Sequence, residues 1–345
     1  KILLMFYKWI DGVNKGEFPI LKSVIHQFSE SDLAIVKQDW QIIIDKIKAG
    51  KAHEISEGDT MYLAACTKGA NAKSMRKQPF SDIPAKQRAY SLKSSYMTAY
   101  VRRILMNEDV ISVFKPEELK SKSVDELLHE RFAPYIGRSL YELKRHINFA
   151  ENKNKAMYAN LVSDLLGIKG TSLDDTDEFA KANIKFKTIR LEPNGVPREH
   201  MSFEQIDFDR WLNAPWEESQ VYETFENTKF LFVVFQFTET ERENPNRVPY
   251  LKGIKLWNMP EQIIETELKE LWQTVHDILA VGVELAQTPR GVKNNLPGAK
   301  FNGVCHIRPK AVNAADKVQL PDGQMITKQT YWLNREYIAE IVREL

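Results

Sequence analysis

Cysteine is almost missing from this chain: Cys66 and Cys305 are the only two among 345 residues. Neither shows metal-ligand spacing, so a disulfide framework and a zinc site are both excluded, and the usage suits a reducing, cytoplasmic setting. Long apolar runs are missing as well. Nothing approaches the roughly 20 residues that a membrane helix needs, so no membrane partner is expected. The opening KILLMFYKWI looks like the core of a secretion signal, but it lacks a small-residue cleavage site and runs into the turn signal Asp11-Gly12. It therefore reads as a strand. A chain that opens inside a strand is expected to lack an N-terminal part.

Overall charge of one sign is missing too, the net being +1. Acids are scarce in one window only. From Cys66 to Arg103 the chain carries Lys68, Lys73, Arg76, Lys77, Lys86, Arg88, Lys93, Arg102 and Arg103 against the single acid Asp82. A solvated surface would carry both signs, so this window points to a polyanion. Apolar residues make up 43% of the chain, enough for real cores, and the length suits two domains.

What is present is a repeat. CTKGANAK at 66–73 and IRPKAVNA at 307–314 share Lys-small-small-Asn-Ala. Upstream of the first lie Trp40, Asp45 and Gly50; upstream of the second lie Trp272, Asp277 and Gly282, both reading W-x4-D-x4-G. The apolar spacing between them suits a helix closed by glycine. Earlier still, each copy has P-x-L-K (19–22 and 249–252), and before that a strand-like run, ILLMFYKW at 2–9 and FLFVVFQF at 230–237. Downstream, 90–105 and 325–342 continue in parallel and pair Lys93 with Lys328 and Tyr96 with Tyr331. The common order indicates a duplicated domain. Residues 1–107 then form the C-terminal half of a first copy, 108–130 a charged connector, and 131–345 a complete second copy.

The front of the complete copy opens on the capping box Ser139-Leu140-Tyr141-Glu142, followed by the helical stretch AMYANLVSDLLG ending at Gly167. An acidic cluster, 174–178, precedes the strand IKFKTIRL at 184–191. Asn194-Gly195 suggests a hairpin to a second strand near 200–203.

These features closely resemble the MutH family of DNA endonucleases. The doubled arrangement is similar to two-MutH-domain type II restriction endonucleases that recognise GATC. The resemblance spans the whole chain and is densest over 40–97. It implies an α/β, restriction-endonuclease-like mixed sheet flanked by helices, duplicated, with the first copy incomplete at its N-terminus. It also implies catalysis by an acid followed by Glu-x-Lys on the next strand. The two carboxylates hold Mg²⁺, which polarises the scissile phosphate and acidifies the attacking water.

Mapped residue by residue, the resemblance places Glu178 at or near the first acid and Lys185-Phe186-Lys187 at Glu-x-Lys, with Ser163 where the family has a further glutamate. Lys187 keeps the family lysine. Lys185, however, puts an ammonium where a metal-binding carboxylate is required. Residues 131–345 are therefore expected to bind double-stranded DNA without cutting and without holding Mg²⁺. The cutting centre would belong to the first copy, with its metal-binding strands upstream of Lys1, so the chain by itself is expected to be inactive.

Candidate DNA contacts follow from the shared words. Lys68 and Lys310, with Lys73 and Arg308 beside them, stand in small-residue loops that allow close approach to phosphate. Asn71 and Asn313 suit bonds to the loop's own backbone more than bases. Lys93 and Lys328, on alternating stretches, read either as strand-edge phosphate contacts or as exposed lysines. Tyr62 matches the family tyrosine near the target adenine, with Val304 as its second-copy counterpart. Lys22, Lys252 and Gly253 fall in the family's groove-entering loop. Trp40, Trp272, Tyr96 and Tyr331 read as packing residues.

Three functions compete. The leading one is part of a Mg²⁺-dependent restriction enzyme whose second domain is an allosteric or looping effector that lets two DNA sites be held at once, with self-association on DNA as a further option. The others are a regulator built from decayed nuclease domains and a mismatch-repair nickase, which would not need the duplicate.

Overall fold

A computed structural model describes residues 1–68, 74–149, 156–289 and 291–345. The chain opens with β1 (Ile2–Tyr7) antiparallel to β2 (Ile20–His26). Helix α1 (Glu30–Lys48) follows. It starts where the Ser29 side chain accepts from Asp32 N–H, carries acids in its first turn, and ends on Lys46 and Lys48, as the helix dipole favours. The chain then turns at Gly50, where φ is +74° and an added Cβ would lie 2.6 Å from the Phe80 carbonyl oxygen, so glycine is required. Strands β3 (Leu63–Thr67), β4 (Met75–Gln78), β5 (Ser81–Lys86) and β6 (Arg88–Leu92) come next, then α2 (Ser94–Met106). Here β3 pairs with β6 and β4 with β5.

Two helices, α3 (Pro116–Ser121) and α4 (Val124–Phe132), form the middle. Helices α5 (Leu140–His146), α6 (Met157–Leu165) and α7 (Asp177–Ala182) lead into β7 (Ile184–Leu191), β8 (Met201–Gln205), α8 (Phe208–Asn213) and α9 (Gln220–Asn227). Strands β9 (Lys229–Gln236) and β10 (Tyr250–Asn258) follow. A long helix comes next: α10 (Glu261–Ile263), a π turn at Ile264–Leu268, and α11 (Lys269–Val281). The chain ends with β11 (Leu285–Thr288), β12 (Gly291–Asn294), β13 (Cys305–Pro309), β14 (Lys317–Gln319), β15 (Met325–Thr327), β16 (Gln329–Leu333) and α12 (Arg335–Ile341).

The central sheet runs β10-β9-β7, with β9 antiparallel to β10 and parallel to β7, and a second sheet runs β13-β16-β8. Both faces of β9 are buried, which explains its unbroken apolar run. Phe230, Phe232 and Val234 enter one core, while Leu231, Val233 and Phe235 enter another. This is a mixed α/β, restriction-endonuclease-like architecture.

Both copies run through a bulged hairpin, a helix, a strand, a hairpin, a strand and a helix, the second with an added hairpin, β11–β12, between its helix and β13. The register can be read from matched hydrogen bonds. Lys68 N–H donates to the Gln87 oxygen and Lys310 N–H to that of Lys328; Lys93 N–H donates to the Tyr62 oxygen and Asn334 N–H to that of Val304. Tyr62 and Val304 therefore correspond, as do Lys68 and Lys310. Lys328, however, corresponds to Gln87, and Lys93 to Asn334, so the pairing of Lys93 with Lys328 and Tyr96 with Tyr331 is corrected. The segments between the matched bonds, 68–87 and 310–328, differ by one residue, so the six-position offset comes from a chance likeness of short words. Likewise, both first hairpins bulge at one place, skipping Leu21 and Lys252, so Lys22 matches Gly253.

The stretch 108–130 packs closely, with Leu119, Val124, Leu127 and Leu128 buried in a core that also holds Ile35, Tyr62 and Tyr96 of the first copy. Two further expectations change. Strands β7 and β8 are not a hairpin: a tight turn does form at Gly195, but β8 then pairs with β16. Trp40 is 46% exposed, whereas Trp272 is buried.

One contrast separates the copies. Leu231, Val233 and Phe235 are fully buried beneath the layer containing α4 and α6, while the equivalent Leu3, Met5 and Tyr7 are exposed, as are Ile20 and Ile25 across the hairpin. Among the described residues no strand pairs with β1 other than β2, whereas β9 has β7 at its other edge.

Candidate nucleic-acid interface

Side chains two apart on a strand share a face, so β7 presents Lys185 and Lys187 together, opposite Phe230 and Phe232 of β9. They line a cleft of about 510 Å³ with Asp174, Phe203, Glu204, Arg210 and, from the first copy, Ser94. Asp174 stands in a 3-10 turn just before α7. Its Oδ1 accepts from Phe186 N–H at 2.8 Å, and its Oδ2 lies 3.9 Å from Lys185 Nζ. Burial pushes the Asp174 carboxyl up, and the Phe186 N–H followed by the two lysines oppose that push.

Lys187 is half-buried, its ammonium 5.4 Å from the centre of the Phe203 ring. Burial drives its pKa down; Asp174 opposes this, and the nearby Lys310 and Lys185 add to it. Lys310 Nζ reaches Ser202 Oγ on β8 at 2.7 Å. Ser202 and Lys187 line a neighbouring hollow, so Lys310 adds a third positive charge near Lys187.

The acid beside Lys185 is Asp174 and not Glu178. Glu178 is buried in α7, and its two oxygens accept from the N–H groups of Val113 and Phe114, at 2.9 and 3.3 Å. It fastens the connector. Ser163 lines a separate hollow beside Phe186. Mg²⁺ demands several oxygen donors in near-octahedral array. Of the three carboxylates that line the cleft, Asp174 has an oxygen committed to a backbone N–H and is flanked by two ammoniums, Glu223 is paired with Arg210 at 2.6 Å, and Glu204 accepts from Gln220 Nε2 at 3.3 Å. Among the described residues no group of three His, Cys, Asp or Glu side chains is placed to hold a metal ion. The residues at this cleft do not fit the ion.

The remaining candidates divide. Lys68, Arg308 and Lys310 are exposed on equivalent strand ends, and the Arg308 guanidinium lies 5.6 Å from the Trp332 ring centre. Asn313 Oδ1 accepts from Ala315 N–H in its own loop. Lys328 is tied to Asp316 at 2.7 Å. Lys22 Nζ donates to the Ile104 oxygen near the end of α2. Lys252 is half-buried at its bulge, and Gly253 packs against Leu345, with 3.3 Å between that side chain and an added Cβ. Asn71 and Lys73 lie outside the described residues.

Two candidates face inward. Tyr62 is 1% exposed and is held by Asp39, whose carboxylate accepts from the N–H groups of Met61, Tyr62 and Leu63. Its ring meets Tyr96 at 5.2 Å and the Lys181 ammonium at 5.6 Å, so it reaches no groove in this conformation. Lys93 is buried too, its Nζ 3.3 Å from the Ala182 oxygen in the second copy. It is neither a strand-edge contact nor an exposed lysine, because β6 ends at Leu92 and Lys93 caps α2.

The sequence reading missed a seam of buried charge between the copies. Arg88 meets Glu226 at 3.1 Å and Glu261 at 3.4 Å; Lys86 meets Glu261 and Glu265 at 2.7 and 2.6 Å. Lys181 meets Asp32 at 3.1 Å and Asp177 at 2.7 Å. Three of the nine basic residues in the acid-poor window, Lys86, Arg88 and Lys93, therefore serve this seam. Their partners lie far off in sequence, where charge counting along the chain cannot find them. Lys68, Arg76, Lys77, Arg102 and Arg103 stay exposed.

The chain is similar to the type II restriction enzyme Sau3AI of Staphylococcus aureus, with 37% identity over all of this chain and 77% of that protein. It is also similar to the DNA mismatch repair protein MutH of Shewanella amazonensis (25% identity, 66% of this chain and 96% of that protein). MutH of Vibrio campbellii matches at 27% identity over 54% of this chain and 77% of that protein. No family model matches.

Proposed function

Because the chain belongs to the type II restriction enzyme family that includes Sau3AI, we propose that residues 131–345 bind duplex DNA at GATC without cutting it. They act as an effector on a cutting centre that belongs to the first copy. The observation that carries this reading is Lys185: it stands where the chemistry needs a second carboxylate, and the one acid beside it, Asp174, is already flanked by cations. The family's reaction would then depend on Mg²⁺ held elsewhere, on acids carried by a strand set beside β1 as β7 is set beside β9. GATC itself comes from the MutH-like resemblance.

The duplex would meet two basic surfaces, Lys68 with its neighbours on the first copy and Arg308, Lys310, Lys185 and Lys187 on the second. Contacts of this kind go to phosphate, set orientation, and weaken steeply with salt. The seam of Arg88, Glu226, Glu261, Lys181 and Asp32 gives binding at one copy a route to the other, as a reciprocal coupling free energy. The test is titration of the chain with GATC and scrambled duplexes at one defined salt concentration, with Mg²⁺ present, reading both binding and strand scission. Tighter binding to GATC without scission is expected. Equal affinity for both duplexes refutes the specificity, and scission by residues 131–345 refutes the non-cutting assignment.

A further inference from the structure

Resting on the reading that this domain binds duplex DNA, we propose that its decayed catalytic cleft is a metal-independent phosphate clamp, in which Lys185, Lys187 and Lys310 together hold one backbone phosphate. A metal-dependent nuclease cleft is a cage of acids, and a phosphate can enter it only after a divalent ion has neutralised them. This cleft is built the other way round. Asp174 spends one oxygen on Phe186 N–H and turns the other toward Lys185, so its charge is already answered inside the protein.

That leaves Lys187 without a hydrogen bond or ion pair among the described residues, over the Phe203 ring and crowded by two like charges. Lys310 spends one donor on the Ser202 hydroxyl, and an ammonium has three. An entering phosphate therefore finds one ammonium, Lys187, with no fixed partner, and it relieves the like-charge crowding there against the opposing charges of Asp174 and Glu204. The arrangement also rests on rigid elements. Lys185 and Lys187 are fixed by the parallel pairing of β7 with β9, and Lys310 follows directly on β13, which pairs with β16. A charge-assisted bond to a phosphate oxygen is shorter and stronger than a neutral one.

The experiment measures duplex affinity of the whole chain at constant ionic strength in EDTA and in Ca²⁺, for the unaltered protein and for Lys185→Glu and Lys187→Met. The unaltered chain should bind equally in both buffers. Lys187→Met should weaken binding by roughly tenfold on GATC and scrambled duplexes alike, and reduce the salt slope by about 1, as loss of a phosphate contact does. Lys185→Glu, which sets a second acid beside Asp174, should bind poorly in EDTA and recover part of its affinity in Ca²⁺. Circular dichroism of each variant shows whether it is folded; Lys185 is about half exposed, so its replacement leaves no cavity. Loss of unaltered binding in EDTA overturns the clamp, as do variants that bind like the unaltered chain in both buffers. Absence of any duplex binding by the unaltered chain overturns the functional reading as well, so the two failures are distinguishable.

Discussion

Lys93 shows how far a residue's surroundings can depart from its sequence neighbourhood. Burial, and then the charge of Lys229, push its pKa down to about 8 from 10.5. Between those values the unfolded chain binds more protons than the folded one, so stability rises with pH across that window. Below pH 8 the buried charge carries its full cost, on the order of 3 kcal/mol. Lys93→Met is therefore expected to raise the urea midpoint at pH 7 and to flatten the rise between pH 8 and 10.5. A lower midpoint at pH 7 would contradict this account. Other residues were only partly legible for related reasons. The acidic cluster at 174–178 marked the right neighbourhood, and Lys185 and Lys187 were correctly set on one strand. Which acid faces them depends on where α7 begins: Asp177 and Glu178 fall inside the helix, leaving Asp174 in the turn before it. Tyr62 could not be placed from sequence, because the partners that enclose it, Tyr96 and Lys181, are 34 and 119 positions away.

Secondary structure was legible wherever the pattern is local. The 2–7 and 229–236 strands, the helices closed by Gly50 and Gly282, and the capping box at Ser139 all rest on periodicity and on residues within one turn. The connector was not, since its charged surface conceals a narrow apolar stripe. Leu127 and Leu128 are fully buried between elements of both copies. Leu127→Ala should cost about 2–5 kcal/mol through lost burial and the cavity left behind. Because that core is shared, tryptophan fluorescence and far-ultraviolet dichroism should shift together in one transition. Two separate transitions, with only one displaced, would show that the copies fold independently.

At the scale of the whole molecule, the two copies share a core and a seam. The second copy sets Lys185 and Lys187 on its central sheet. The first keeps exposed Lys68, Arg76 and Lys77 near its surface, and commits Lys86 and Arg88 to its neighbour. The bare hairpin of β1 and β2 has a practical outcome at the bench. Leu3 lies directly across from Ile25, at 64% and 69% exposure, on a ribbon whose outer edge pairs with no other strand among the described residues. Such a ribbon is a template for pairing with another chain. Purified alone, the polypeptide should sediment as a concentration-dependent mixture of monomer and larger species, and the double substitution Leu3→Lys with Ile25→Lys should return it to a single monomeric boundary. A monomer at every loading would mean that the oily ribbon is harmless in water.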